Sequence, residues 1–408
     1  MKDCIGNTIK ITVVTVLLFA LIIGMTGCSW REEDAPKPQT QPEETIQPPQ
    51  QTVEPSPSLP QRSPNLPQRD EVQTYEASLA AVGDVLIHSS VYKDAKTEDG
   101  YDFKGMFERV KPYIESADLA MANQESMLGG VELGLSDYPR FNGPTEVGDA
   151  LKDAGFDIIN LANNHTLDRG EEAVTNTIRH LDKLGLIYTG AYLSAEDQKR
   201  LRTVEKNGIT FAFVSYTFGT NGIPVPAGKP YLVNLIEEEK IKSEISEART
   251  QADVVVMNVH FGQEYVNMPN REQKDVAKMA AEAGADIIIG HHPHVLQPME
   301  WIETSRGNQS LVIYSLGNFL AAQEGNRNRT GGILQMQVVK TVKQGNVTIQ
   351  VQKPAFIPTW ISMTNWRKYK IVPLWEAPVN QVSNAGTYMP EIAKHMKQWM
   401  PELQVMTK

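Results

Sequence analysis

From residue 78 onward the chain alternates short, nearly continuous apolar runs with longer stretches of helical periodicity, and this predicts a layered α/β architecture. The runs at residues 79–82, 119–122, 158–162, 254–259 and 287–289 read as strands. Between them lie helical patterns such as 272–284, with Val276, Met279, Ala280 and Ala283 on one side and Gly284 as a stop. Beyond residue 338 the alternation becomes that of antiparallel strands as far as 373, with Trp360, Trp366 and Trp375 expected to pack. Residues 216–226, rich in Gly and Pro, are expected to form a loop beside the same sheet edge that covers a crevice or simply connects two elements.

Each apolar run gives way to polar residues. The first is followed by Gly83-Asp84 and then His88, the second by Asn123-Gln124-Glu125, and the third by Asn163-Asn164-His165. The fourth runs into His260 and Glu264, and the fifth into Gly290-His291-His292-Pro293-His294. In open α/β sheets the loops at the carboxyl ends of strands line one crevice, so these residues are expected to converge despite their separation in sequence. The chain has 8 histidines, and all but His180 and His395 sit at these strand ends. One such histidine is ordinarily a hydrogen-bonded structural residue; five sites together point to a metal centre.

Composition narrows the chemistry. At 408 residues, 41% hydrophobic and 22% charged, the chain is neither disordered throughout nor a multi-span membrane protein. A formal charge of -10 without a Lys/Arg block excludes a basic nucleic-acid footprint. The two cysteines, Cys4 and Cys28, precede the body, which therefore has no thiol for a disulfide, a zinc ribbon or a nucleophile. Any metal must be held by His, Asp, Glu and Asn, a nitrogen and oxygen set that suits Mn, Fe or Zn and is large enough for two divalent ions. Two such ions, ~3.5–4 Å apart, clamp both oxygens of a phosphoryl displacement.

The first 28 residues form an exported leader, with Lys2 and Lys10, an apolar stretch over 11–23, and then Thr26-Gly27-Cys28. The ending resembles a lipoprotein cleavage box that leaves Cys28 carrying lipid; an uncleaved anchor is the alternative. Residues 29–76 read as a Pro/Gln-rich disordered tether of roughly a hundred Å when stretched. The domain is expected over 77–340, with 341–408 as a strand and helix extension packed on it.

These motifs together resemble the poly-gamma-glutamate capsule synthesis protein CapA family, whose domain is similar to a calcineurin-type metallophosphatase. The resemblance spans residues 78–333. It rests most on Gly290-His291-His292-Pro293-His294-Val295 and Ser315-Leu316-Gly317-Asn318-Phe319, with support from His260-Phe261-Gly262-Gln263-Glu264-Tyr265 and Asn163-Asn164-His165. It implies mixed sheets flanked by helices. It also implies Asp84, Glu125, Asn164, His260, His292 and His294 as metal ligands, and His165 as a general acid or an orienting residue.

Around that set, Glu264 either orients His260 or makes a salt bridge, and His88 either faces the site or forms a surface hydrogen bond. His291, Asn123 and Asn163 are expected to support the ligands or the substrate. Asn318 supports a ligand, binds substrate or caps a turn. Arg140 and Arg169 clamp an anion or stay solvated. The implied function is a metal-dependent hydrolase at the outer face of the cell membrane, held by lipid, acting on an anionic polymer or its precursor beside capsule synthesis subunits. The alternatives are a non-catalytic tethered component of a synthesis or export complex and a metallophosphoesterase with an unrelated cell-surface substrate.

Overall fold

The computed structural model describes residues 72–408. The expected leader, Cys28 and nearly all of the tether lie outside the described residues. The chain runs through β1 (Val72–Val85), the short helices α1 (Ser89–Asp94), α2 (Lys104–Phe107) and α3 (Lys111–Glu115), β2 (Leu119–Gln124), α4 (Glu146–Asp153), β3 (Ile158–Asn160), α5 (Gly170–Leu184), β4 (Ile187–Thr189) and α6 (Ala195–Lys199). It continues through β5 (Arg202–Lys206), β6 (Ile209–Thr217), α7 (Glu238–Gln251), β7 (Val254–His260), α8 (Arg271–Ala283), β8 (Ile287–His291), β9 (Leu296–Glu303) and β10 (Gln309–Leu316). It ends with β11 (Asn318–Leu320), β12 (Thr330–Lys343), β13 (Asn346–Thr364), β14 (Arg367–Pro373), α9 (Ala385–Met396) and β15 (Gln404–Val405).

Two mixed sheets result. The first has the order β14-β13-β12-β1-β2-β3-β4, with β11 beside β1 and β15 beside β13. The second has the order β5-β6-β7-β8-β10-β9. Strands β1 to β4 are mutually parallel, as are β6, β7, β8 and β10, so each sheet aligns its ligand-bearing carboxyl ends along one edge. The predicted α/β layering is observed.

The period-2 alternation decides the layers. Leu79 and Ala81 of β1 meet Val254 and Val256 of β7 in the apolar layer between the sheets. Their neighbours Ala80 and Val82 face the helical layer holding Phe107, Leu151 and Ile178. Val255, Met257 and Val259 face Ile241 and Ile245 of α7 and Ala277, Ala280 and Ala281 of α8. Helix α8 begins in a capping box, in which Asn270 accepts from the Gln273 N–H and the Gln273 side chain accepts from the Asn270 N–H. That fixes the exit of the loop beyond His260.

Three expectations need correction. Residues 72–76 belong to β1, not the tether, because they pair with Thr341, Val342, Lys343 and their neighbours, a long-range contact invisible in local composition. The boundary expected at residue 340 falls inside β12, and β13 and β14 complete the first sheet. Trp360 is fully buried beneath the Arg329 guanidinium, but Trp366 sits 41% exposed at the turn between β13 and β14. Trp375 packs edge-on against Tyr113.

Candidate metal centre

The carboxyl ends of the parallel strands meet, and the residues predicted to converge do so, except His88 and Glu264. Gly83 is required by the closeness of the chains: a Cβ there would lie 1.9 Å from the Gly317 carbonyl oxygen. The next residue, Asp84, is fully buried and its N–H donates to that same carbonyl at 2.9 Å. Its Oδ1 accepts from Asn123 Nδ2 at 2.8 Å, and Asn123 in turn accepts from Asn160 Nδ2 at 2.8 Å. This relay of amides sets the carboxylate before any ligand arrives.

Glu125 follows β2 and its N–H donates to the Val85 carbonyl at 3.0 Å. The side chain is fully buried, and neither carboxylate oxygen has a hydrogen-bond partner. His260 Nε2 and His294 Nε2 stand 3.5 and 3.6 Å from its Oε1. One ligand atom each from Glu125, His292 and His294 all lie within 4.8 Å of one another. Asn164 Oδ1 lies 2.9 Å from His260 Nε2, within hydrogen-bond distance. The His260 and His292 rings are 4.8 Å apart, and His292 and His294 are 6.0 Å apart.

His292 and His294 both adopt positive φ, 99° and 57°. Such backbones cost about 1–3 kcal/mol each in a non-glycine residue and persist where the surroundings over-determine them. Both imidazoles are thereby turned inward on one short segment. Asn318 does not cap a turn: its Oδ1 accepts from His294 Nδ1 at 2.9 Å, and Asp84 Oδ2 lies 3.2 Å from the same nitrogen. With Nδ1 so held, Nε2 is left for Glu125 or an ion.

Charge is distributed unevenly. Burial pushes Asp84 up, but the His291 and His294 imidazoles beside it outweigh that and hold the carboxyl well below its ordinary range. Glu125 is pushed well above its range, chiefly by burial. Burial lowers His294, yet Glu125 and Asp84 overcome it and raise the imidazole to about 10. His292 falls to about 3 through burial and the nearby His294, and His260 is likewise lowered, burial first. A buried carboxylate costs several kcal/mol unless a charge compensates it, so in the ion-free cluster Glu125 and His294 share one proton between them.

The other predicted residues are sorted by the structure. Asn163 shapes the loop, donating to the Gln124 carbonyl and accepting from the His165 N–H at 2.9 Å each. His291 lies behind Asp84, its Nδ1 3.6 Å from Oδ1. His88 sits on the Leu86 and Ala322 backbone, with Nδ1 at 3.1 and 3.2 Å, and does not join the ligand group. Glu264 is on an exposed loop, where it bonds Tyr265 rather than orienting His260, because the segment after β7 is not helical. Arg169 donates to the Leu133 and Gly134 carbonyls and to Ser136, bracing a loop; Arg140 is exposed.

Sequence reasoning missed Asp168. Its Oδ2 lies 2.7 Å from His165 Nδ1 and accepts from the Phe141 N–H at 2.7 Å. The His-x-x-Asp spacing was the available signal. It also missed the contents of the loop after β6: Asn221 bonds Asn164 and His165, and Phe218 lies 4.6 Å from the His292 ring. That loop does cover the crevice.

The cluster fits a divalent metal. Its donors are nitrogen and oxygen without sulfur, and two Glu125 oxygens with one His292 nitrogen are buried and unpartnered. Comparison with known proteins agrees with the motifs. The sequence profile of the bacterial capsule synthesis protein PGA_cap family matches residues 78–323. The chain is 34% identical over 277 residues to the PGA biosynthesis protein CapA of Bacillus subtilis (strain 168), covering 66% of this chain and 70% of that one. It is 32% identical over 272 residues to the capsule biosynthesis protein CapA of Bacillus anthracis, covering 63% of each. Among solved structures, the NAD nucleotidase of Haemophilus influenzae aligns with a TM-score of 0.42 at 10% identity, covering 82% of this chain and 58% of that one. A putative 5'-nucleotidase of Staphylococcus aureus aligns with a TM-score of 0.40 at 15% identity, covering 78% and 58%. At such values neither says what this chain does.

Proposed function

The chain belongs to the bacterial capsule synthesis protein PGA_cap family, and on that premise we propose that it is a metal-dependent hydrolase or transferase acting on a surface polymer or its precursor during capsule synthesis. The observation that carries this reading is Glu125, whose two fully buried carboxylate oxygens have no hydrogen-bond partner beside His292 and His294. In a protein interior that arrangement is costly unless a cation completes it.

Asp84, Glu125, Asn164, His260, His292 and His294 hold the metal. Six nitrogen and oxygen donors, with positions still needed for substrate, favour two ions, of Mn, Fe or Zn. Bound divalent ions supply Lewis-acid polarisation of a phosphoryl or acyl oxygen. His165, oriented at Nδ1 by Asp168, gives a proton from Nε2 to the leaving oxygen. Phe141, packed edge-on against His165 at 4.8 Å, limits water on that side. A lipid on Cys28 and the tether after it place the domain at the outer face of the membrane, near other capsule synthesis subunits.

The test is elemental analysis of the full chain beside Asp84→Ala and His292→Ala, joined to polymer production in cells carrying each variant at normal protein level. Loss of both metal and polymer is expected. Unchanged metal content overturns the metal centre, and loss of metal with full polymer production assigns the chain a non-catalytic role in the complex.

A further inference from the structure

Beside the metal centre lies a second concavity that the proposed reaction does not use. It measures about 200 Å³ and is built from the loop after β7, the start of β9, the loop before β12 and helix α9. Val295, in its wall, directly follows the ligand His294, and Asn318, which holds that imidazole, also donates to the Asn328 carbonyl next to Arg327 at 2.8 Å. The walls are pinned. The Asn326 side chain donates to the Ser383 carbonyl at 2.7 Å and accepts from the Ser383 N–H at 3.1 Å, while His395 of α9 donates from Nε2 to the Leu296 carbonyl at 3.0 Å. Below the roughly 300–1,000 Å³ of drug-sized sites, the volume admits one small unit rather than a length of polymer.

Opposite charges face this space without meeting. Arg327 and Glu391 both line it and are exposed, and among the described residues neither side chain has an ion pair or a hydrogen bond, with each other or with any neighbour. Burial raises the Tyr388 hydroxyl to about 12, and the fields of Arg327 and Glu391 reach it with opposite sign. Thr330 Oγ1 donates its one hydrogen to the Asn326 carbonyl at 2.7 Å, so it accepts in its 2.9 Å bond with Tyr388, and the phenol oxygen keeps only lone pairs for the pocket. The site therefore offers acceptors at Glu391 and Tyr388, a fork of donors at Arg327, and a buried apolar floor of Leu296 and Ile392. A dicarboxylate would meet Glu391 and a diamine would meet Arg327, and like charges so juxtaposed repel. A ligand that carries both charges on a short apolar stem satisfies every wall.

Building on the proposed function, we propose that this pocket binds the zwitterionic head of an α-amino acid, its carboxylate on Arg327, its ammonium on Glu391 and Tyr388, and its methylenes on Leu296 and Ile392. Free glutamate presents that head, and so does the amino end of a γ-linked glutamate chain, whose inner units have the carboxylate but no ammonium. The pocket thus reads a chain end or a monomer beside the metal ligand His294, not the interior of the polymer.

Calorimetry on the full chain compares L- and D-glutamate, N-acetylglutamate, glutarate, and a γ-linked triglutamate with its amino end free or acetylated, with metal content measured on every sample. Glutamate or the free triglutamate is expected to bind, and loss or acetylation of the ammonium to weaken binding about tenfold or more, the scale of one hydrogen-bonded charge. Tighter binding of the triglutamate assigns the pocket to the chain end, tighter binding of glutamate assigns it to the monomer, and equal binding means that only the shared head is read. Arg327→Ala and Glu391→Ala should each weaken binding by a similar factor with metal content unchanged, and Arg327→Lys and Glu391→Asp should recover part of it. If metal is present yet no probe binds, or the acetylated probes or glutarate bind as well as the free ones, or either alanine variant binds normally, the pocket assignment is overturned while the metal centre stands. A metal-free wild type that still binds glutamate through Arg327 and Glu391 overturns the metal centre and leaves the pocket in place.

Discussion

The two sheets bring different chemistry to the same place. The first contributes oxygen, through Asp84, Asn123, Glu125 and Asn164, and the second contributes nitrogen, through His260, His291, His292 and His294. They are also held in different ways. On the oxygen side regular strand ends are aligned by a relay of amides, Asn160 to Asn123 to Asp84. On the nitrogen side two of the ligands sit on strained backbone and are fixed by Asn318 and by packing. Neither half alone makes a ligand set, so the cluster depends on the apolar layer that keeps the sheets in register.

The largest effect is expected at Glu125, the residue that pays for the site in stability. Glu125→Gln keeps the shape and removes a buried acid. Metal affinity should drop by more than ~100-fold, beyond the effect of losing an outer partner, whereas the melting temperature of the ion-free chain should hold or rise. Thermal denaturation with and without chelator separates the two. A lower melting temperature in the ion-free state would mean that the carboxyl makes a stabilising bond and is no orphan.

Next comes Asn318, which reaches across the halves to hold His294. Asn318→Ala leaves every proposed ligand in place but frees the imidazole to turn, and metal affinity should fall by roughly 10- to 100-fold. If affinity is unaltered in a metal titration of the variant, the strained backbone alone orients His294.

The two halves are coupled through a proton. His294 in the ion-free chain is raised to about 10 from 6.5 by Glu125 and Asp84, after burial has opposed it. A raised imidazole stabilises the fold fully below its unfolded value and ceases to do so as pH climbs through the folded one. The ion-free protein should therefore lose stability between about pH 6.5 and 10. An ion displaces that proton, so metal affinity should rise over the same window and the melting curves with and without metal should draw apart. Parallel curves would place the proton elsewhere.

The legibility of the sequence divides along the same line. The strands were readable because parallel, doubly covered strands are continuous apolar runs, and the residues after them stood out as polar interruptions. The nitrogen side was the clearer, since histidines are few and four of them lie at the ends of β7 and β8 or just beyond. The oxygen side was readable for Asp84 and Glu125 but not for Asp168, because its one local mark, a spacing of three from His165, does not by itself separate it from the many other acidic residues. Asn318 was placed in the right motif, among residues that support a ligand or substrate, but which ligand it holds was not readable: His294 lies 24 residues away, across β9 and β10. The loop after β6 was visible as a loop, but its contacts through Phe218 and Asn221 depend on how the sheets face, which local periodicity does not encode.

The smallest effect belongs to His88, the one histidine on the oxygen side's first loop, and it sharpens the division most simply. It comes four residues after Asp84 and shares its strand end, so spacing alone leaves it eligible as a ligand. Its Nδ1 is instead occupied by the backbone of Leu86 and Ala322, and its ring stands edge-on to Phe141 at 5.1 Å. Burial keeps it neutral by lowering its pKa, so it brings no charge to the cluster. His88→Ala should leave metal affinity within about twofold and cost about 1 kcal/mol of stability, the scale of a lost side-chain to backbone bond. His88→Asn, which preserves an acceptor, should recover part of that cost. A fall in metal content in either variant would bring a nitrogen donor over to the first sheet, and the separation of oxygen and nitrogen between the two halves would no longer hold.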